Sequence, residues 1–239
     1  MDLIKNSWCK KDIEEFNNYL ISLQNIEKAL WVQNIYGTQK PSLAIKVPVL
    51  RDIAKNIFKG DVESFLKFQT HLYIEDDILS AIIISLIKDY KLQLAYLSNF
   101  LQQVDSWVCT DTLKLNNYNF KDAIDLSQKL SNSPFVFERR FAFVQLLKFA
   151  KNEQNINEIF LLILNHKNEQ EYYVNMAISW LICELMVYNP EKTYIFLLNY
   201  KKLLKNKNNL FILKKSISKC QDSFRISNEN KIKLKKLII

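Results

Sequence analysis

The sequence predicts an all-α fold, a curved solenoid of antiparallel helical pairs running as one domain through residues 1–239. Three observations carry that expectation. Only two glycines, Gly37 and Gly60, and four prolines, Pro41, Pro48, Pro134 and Pro190, occur in the chain, whereas sheet-rich folds and phosphate-cradling loops consume glycine at turns and close approaches. Apolar residues recur at helical spacing along nearly the whole length, and the breaks between periodic segments are short and polar. Hydrophobic residues make up 49% of the chain, enough for a continuous core. Fourteen short helices cannot all surround one centre, so stacking them in pairs is the efficient arrangement.

In chain order, helices are expected at 12–23, 26–35, 48–58 and 62–69, with Gly60 and Asp61 pairing a helix-ending glycine with an N-cap aspartate before the fourth. Helices at 76–88, 91–103 and 106–116 follow, the last with Asp105 or Ser106 as its N-cap. Segments 121–130 and 134–150 come next, and Ser133–Pro134 places a capping hydroxyl ahead of a proline at the first helical position. Helices at 156–165, 170–188 and 191–205 are separated at Asn189–Pro190, which stops one and starts the next. Helices at 210–219 and 228–237 complete the chain.

Composition narrows the chemistry. Cys9, Cys109, Cys183 and Cys220 are far apart, with no C-x-x-C pair and no secretory segment after Met1, so a reduced, cytoplasmic setting is expected. His71 and His166 have no ligand-like spacing, which argues against a zinc site, and no metal or other cofactor is expected. No apolar run approaches the roughly 20 residues needed to span a bilayer. The net charge of +8 is unevenly placed: from residue 201 onward twelve lysines and arginines face only Asp222 and Glu229, leaving −2 for the first 200 residues. That basic end fits a polyanion, or a solvated lysine-rich helix.

Three segments could carry chemistry. Trp107 and Asp111 stand four apart, so a helix puts indole and carboxylate on one face, where quadrupole and anion both favour a cation. The alternative is a buried tryptophan beside a solvated aspartate. In the segment around Arg139 and Arg140, Phe137, Phe141, Val144 and Leu147 would form the buried stripe, leaving at least one arginine outward to grip a phosphate or pair with Glu138. Trp180 falls mid-helix beside Ala177 and Ser179, whose small side chains permit close approach; a core tryptophan is the alternative.

Together these segments resemble the AlkD-like DNA alkylation repair family, whose members are HEAT-like repeat DNA glycosylases. The family's W-x-x-x-D, R-x-A-[I/F] and A-I-[G/S]-W elements correspond to Trp107 through Asp111, Arg140-Phe-Ala-Phe143 and Ala177-Ile-Ser-Trp180. The stretch from Ala44 to Arg51 is similar to its G-[I/V]-x-x-P-x-[L/R]-R signature, and the likeness covers about residues 15 to 225. It implies excision of positively charged N3- or N7-alkylated purines from duplex DNA by N-glycosidic hydrolysis, as a monomer acting in base excision repair. Asp111 would stabilise the oxocarbenium-like sugar and position water, Trp107 and Trp180 would pack against the deoxyribose, and Arg140 would hold a phosphate. Arg139, Tyr36, Lys46, Arg51, Lys148, Lys214 and Lys215 complete the candidate DNA-binding set. A cationic purine leaves with little acid assistance, so the demand falls on stabilising the sugar cation. Such enzymes need no deep base-flipping pocket.

The chain departs from the family pattern in four places. Ala44 stands for the signature glycine; the first acid of W-D-x-V-D is replaced by Val108; the lesion-facing tyrosine aligns with Ile35, one residue before Tyr36; and Cys183 stands where a basic residue is usual. A non-catalytic DNA-structure-binding protein of the same family and a protein-binding scaffold are the competing readings.

Overall fold

The computed structural model describes residues 1–204 and 210–238. Among them are fourteen α-helices and no strand, and no helix is long and apolar enough to cross a membrane. Backbone contacts group into two compact units, Met1–Asn117 and Tyr118–Ile239.

The first unit holds α1 (Lys10–Ser22), α2 (Ile26–Tyr36), α3 (Val47–Ile57), α4 (Val62–Phe68), α5 (Ile74–Leu86), α6 (Tyr90–Gln103) and α7 (Trp107–Thr112). Helix α5 is its axis, buried from Ile74 to Ile84 and packed against α3, α6 and α7. Burying each large aliphatic side chain contributes about 1.5–3 kcal/mol. Three acids at the start of α5, Glu75, Asp76 and Asp77, are buried as well. The helix N-terminus favours negative charge, and each acid has a donor. Glu75 accepts from Ser42 Oγ at 2.8 Å and Leu43 N at 3.0 Å. Asp76 Oδ2 accepts from Tyr73 N at 3.0 Å, and Asp77 takes Lys40 Nζ at 2.5 Å on one oxygen and His71 Nδ1 at 2.7 Å on the other. Burial pushes the Asp76 carboxyl up to about 6.

Trp8, Phe16 and Phe65 form an edge-to-face trio with centroids 5.0 to 5.9 Å apart. Asp61 caps α4 as expected, accepting from Glu63 N and Ser64 N. Gly60 serves a different purpose from the helix-ending one expected: a Cβ there would lie 2.3 Å from the Lys5 carbonyl, so the close approach of the N-terminal strand of chain requires glycine.

Helix α7 is shorter than the expected 106–116. Past Thr112 the backbone donors are claimed by side chains of neighbouring helices: Lys114 N by Ser85 Oγ at 2.8 Å and Asn116 N by Gln93 Oε1 at 2.7 Å. Asn117 then turns left-handed at φ 48°. Propensity favoured continuation, and tertiary hydrogen bonds overrode it.

The second unit holds α8 (Phe120–Leu130), α9 (Val136–Val144), α10 (Ile156–Asn165), α11 (Tyr172–Tyr188), α12 (Pro190–Leu203), α13 (Phe211–Asp222) and α14 (Asn228–Lys235). Its axis is α11, which packs on α9 and α13 and buries Val174, Ala177, Ile178, Leu181, Leu185 and Met186. Pro190 opens α12 at its first position, as expected. The expected end of that helix at Lys205 lies outside the described residues.

The single helix expected at 134–150 is divided. It begins at Val136 because Ser133 Oγ accepts Phe135 N at 3.0 Å, while the Ser133 and Pro134 carbonyls accept Arg139 Nη1. It tightens into a 3₁₀ turn, Gln145–Phe149, where Gln145 Nε2 reaches across to Ala123 O and Ser127 Oγ.

Candidate functional site

The site in the first unit is built where the end of α2 meets the start of α7. Gly37 closes α2 in the left-handed conformation at φ 61°, and its N–H bonds back to Gln33 O. The α2 carbonyls left over at this end are taken by α7. Ser106, the N-cap, donates Oγ to Tyr36 O at 2.6 Å while accepting from Val108 N at 3.3 Å. Trp107 donates its indole N–H to Ile35 O at 3.1 Å. Asp105 locks the following loop by accepting from Thr38 Oγ1 at 2.6 Å and Gln39 N at 2.8 Å. Two helix termini thus satisfy each other, and the indole orientation is set by a backbone acceptor.

Around this joint the Tyr36 and Trp107 rings meet edge to face, 6.0 Å between centroids and 82° between planes. Both are partly exposed. Partial burial raises the Tyr36 hydroxyl's pKa, with Glu75 adding to the effect, so the ring stays neutral. Asp111 follows one turn after Trp107 on α7, partly exposed, with Oδ1 3.3 Å from Thr110 Oγ1. Cys109, beneath them, is buried, and burial pushes its thiol well up, leaving it a packing residue. A carboxylate one helical turn from an indole attracts and stabilises a positively charged group, and the indole is held by its hydrogen bond to the Ile35 carbonyl.

The sequence profile of the DNA alkylation repair enzyme family matches residues 16–210. The chain belongs to that family. No individual curated protein matches it.

Membership puts the sequence departures in a structural frame. The aromatic one residue past the family position, Tyr36, is the one that contacts Trp107, whereas Ile35 is exposed and contributes its carbonyl. Ala44, standing for the signature glycine, sits at φ 54°. Glycine is the residue suited to that backbone, and Ala44 adopts it under strain. Lys46 is the exposed N-cap of α3 and Arg51 is exposed on the same helix; neither holds an ion pair among the described residues.

In the second unit the more exposed of the two arginines is Arg139, whereas the family motif points to Arg140. Arg140 is buried, with Nη1 donating to Tyr173 O at 2.7 Å. Arg139 is the less buried of the two, but its guanidinium is held by Glu169, at 3.0 Å through Nε, and by the Ser133 and Pro134 carbonyls. Burial of hydrogen-bonded guanidinium groups ties α9 to its neighbours. Trp180 is partly exposed although Ile178, Ser179 and Leu181 around it are buried, so it lies at the margin of the α11 packing face. Lys148 projects 3.4 Å over the Tyr118 ring, and partial desolvation lowers its pKa. Lys214 is exposed and Lys215 partly exposed on α13.

Residues that the sequence did not single out are the positioning ones. Ser106 and Asp105 were read as alternative caps; one caps α7 and the other anchors residues 38–39. Their long-range partners carry no sequence signal.

Proposed function

We propose that the protein is a monofunctional DNA glycosylase that excises positively charged N3- or N7-alkylated purines from duplex DNA, acting in base excision repair. The observation that supports this reading is Trp107, edge to face with Tyr36, one turn before the partly exposed Asp111 on α7. Alkylation at N3 or N7 makes the purine cationic and a good leaving group, so hydrolysis gathers positive charge on the deoxyribose. Asp111 stabilises that charge and orients the attacking water; the Trp107 ring, with Tyr36 at its edge, supplies a π wall that cations favour. No proton need be delivered to the departing base.

Trp180 as a second wall and Arg140 as a phosphate ligand are proposed on the family motifs alone. Arg140 would act by ordering the turn at Tyr173 or by releasing that carbonyl on binding. Exposed Lys46 and Arg51 in the first unit and Lys214 in the second, with partly exposed Lys148 and Lys215, supply sequence-independent attraction to the duplex backbone.

Release of 7-methylguanine from a modified duplex tests the reading. Wild type should release the base and Asp111→Asn should lower the rate by about 10²-fold or more, the scale of losing a preorganised electrostatic group. Undiminished release by Asp111→Asn would defeat the mechanism. A second reading, a DNA-structure-binding protein without catalysis, draws on the buried Arg140. It requires no base release by wild type together with tighter binding to branched than to linear duplex.

A further inference from the structure

A cavity of about 380 Å³, open to solvent on one side, lies between α4, α5 and α6 of the first unit. That is within the range of small-molecule sites, about 300–1,000 Å³. Its floor is formed by buried Ser80, Ile84 and Phe100. His71 and Tyr96 also line it. Asn99 and Gln103 stand on the same side of α6 as Tyr96 and Phe100, since positions 96, 99, 100 and 103 share one helical face.

The polar groups here are uncommitted and oriented. Nothing among the described residues hydrogen-bonds the side chains of Tyr96, Asn99 or Gln103. His71 uses only Nδ1, which sits 2.7 Å from Asp77 Oδ1. The Asp77 carboxylate can only accept, so the imidazole donates through Nδ1–H, and Nε2 is left for a ligand. His71 holds this position with a left-handed backbone, φ 54°, a sparsely populated conformation that its surroundings enforce. Buried Asp77, paired with partly exposed Lys40, therefore orients a histidine at the wall of a cavity.

We propose that this cavity binds a neutral purine, as free base or nucleoside, stacked on Tyr96 and Phe100 and hydrogen-bonded by His71 Nε2 and the amides of Asn99 and Gln103. A flat ring suits the aromatic floor and wall. Mixed donor and acceptor edges suit two amides, which offer both polarities, and the free imidazole nitrogen. At the rim Glu63 and Lys67 bring one charge of each sign, which favours a neutral ligand over a phosphorylated one. The site is independent of the Trp107–Asp111 reading, because it shares none of that reading's residues.

Titration of the full chain with adenine and with adenosine, followed by calorimetry, tests the proposal. Saturable one-site binding with Kd below ~1 mM is expected for at least one of them, and comparing the two shows whether the sugar is accommodated. His71→Asn, which retains a residue tolerant of the left-handed backbone, and Tyr96→Leu should each weaken binding about five-fold or more, the loss of one hydrogen bond or stacking contact. Gln103→Ala, at an exposed position that folding does not need, should weaken it in the same direction. These variants should still release 7-methylguanine if wild type does, and Asp111→Asn should still bind the purine. Absence of saturable binding by either compound, or binding untouched by all three variants, overturns the proposal whatever the outcome at Asp111.

Discussion

Replacing Ala44 by glycine relieves a strain that is visible in one dihedral angle. Ala44 lies at φ 54° in the loop between α2 and α3, and the loop cannot relax, because Ser42 Oγ and Leu43 N are both held by buried Glu75 and Ala44 N is held by Ser42 Oγ at 3.0 Å. The left-handed conformation costs an alanine about 1–2 kcal/mol through contact of Cβ with the following carbonyl. Glycine avoids that cost but loses about 0.4–1 kcal/mol more backbone entropy on folding. The net expectation for Ala44→Gly is a stabilisation of about 0.5–1 kcal/mol, or ~1–4 °C in Tm. Urea unfolding followed by far-UV circular dichroism measures it, as a higher midpoint at unchanged m-value. Asn117→Gly serves as the control: it is also left-handed, at φ 48°, but asparagine tolerates that region, so little gain is expected. An unchanged or lower midpoint for Ala44→Gly would refute the strain argument.

Three further outcomes follow from the geometry. Ser106→Ala removes both the N-cap of α7 and the bond to Tyr36 O; it should cost about 1–2 kcal/mol of stability in urea unfolding and lower 7-methylguanine release by disturbing Trp107. The raised pKa of Asp76, about 6 against an ordinary 3.8, means that the folded state binds this proton more tightly than the unfolded chain does. Its contribution to stability is therefore complete below pH 4 and lost as pH rises through 6, about 3 kcal/mol at 1.36 kcal/mol per pH unit. Stability curves at pH 4 and pH 7 should thus show Asp76→Asn gaining on wild type at the higher pH; parallel curves would contradict it. Finally, exposed Lys214 and engaged Arg139 should behave differently in DNA binding. Lys214→Ala should reduce the slope of log K against log salt by about 0.9, whereas Arg139→Ala, whose partner is Glu169, should lower stability and leave the slope unchanged.

Much of the fold was legible because helices write their pattern locally. Apolar spacing, Asp61 as a cap, and Asn189–Pro190 as a boundary all act within a few residues, and they located all fourteen helices, most of their ends to within a few positions, the end expected at Lys205 lying outside the described residues. The discrepancies occur where distant groups intervene. At Lys114 and Asn116, hydroxyl and amide groups from α5 and α6 claim the backbone donors that a longer α7 would have used. At Pro134, Arg139 claims the carbonyls ahead of α9.

The candidate site divides in the same way. That Trp107 and Asp111 share a face, and that the chain belongs to a DNA alkylation repair family, were determined by the sequence alone, the first by the 3.6-residue helical period and the second by the order of its motifs. Only the tertiary structure decided that Tyr36 rather than Ile35 meets Trp107, because that depends on side chains at the start of α7 donating to the last carbonyls of α2 across some seventy positions. It also decided that Arg140 is buried and Arg139 engaged, and that Ala44 is strained where the family signature has glycine. Side-chain partners and backbone handedness at a loop are set by what packs around them, and that information is not local in the chain.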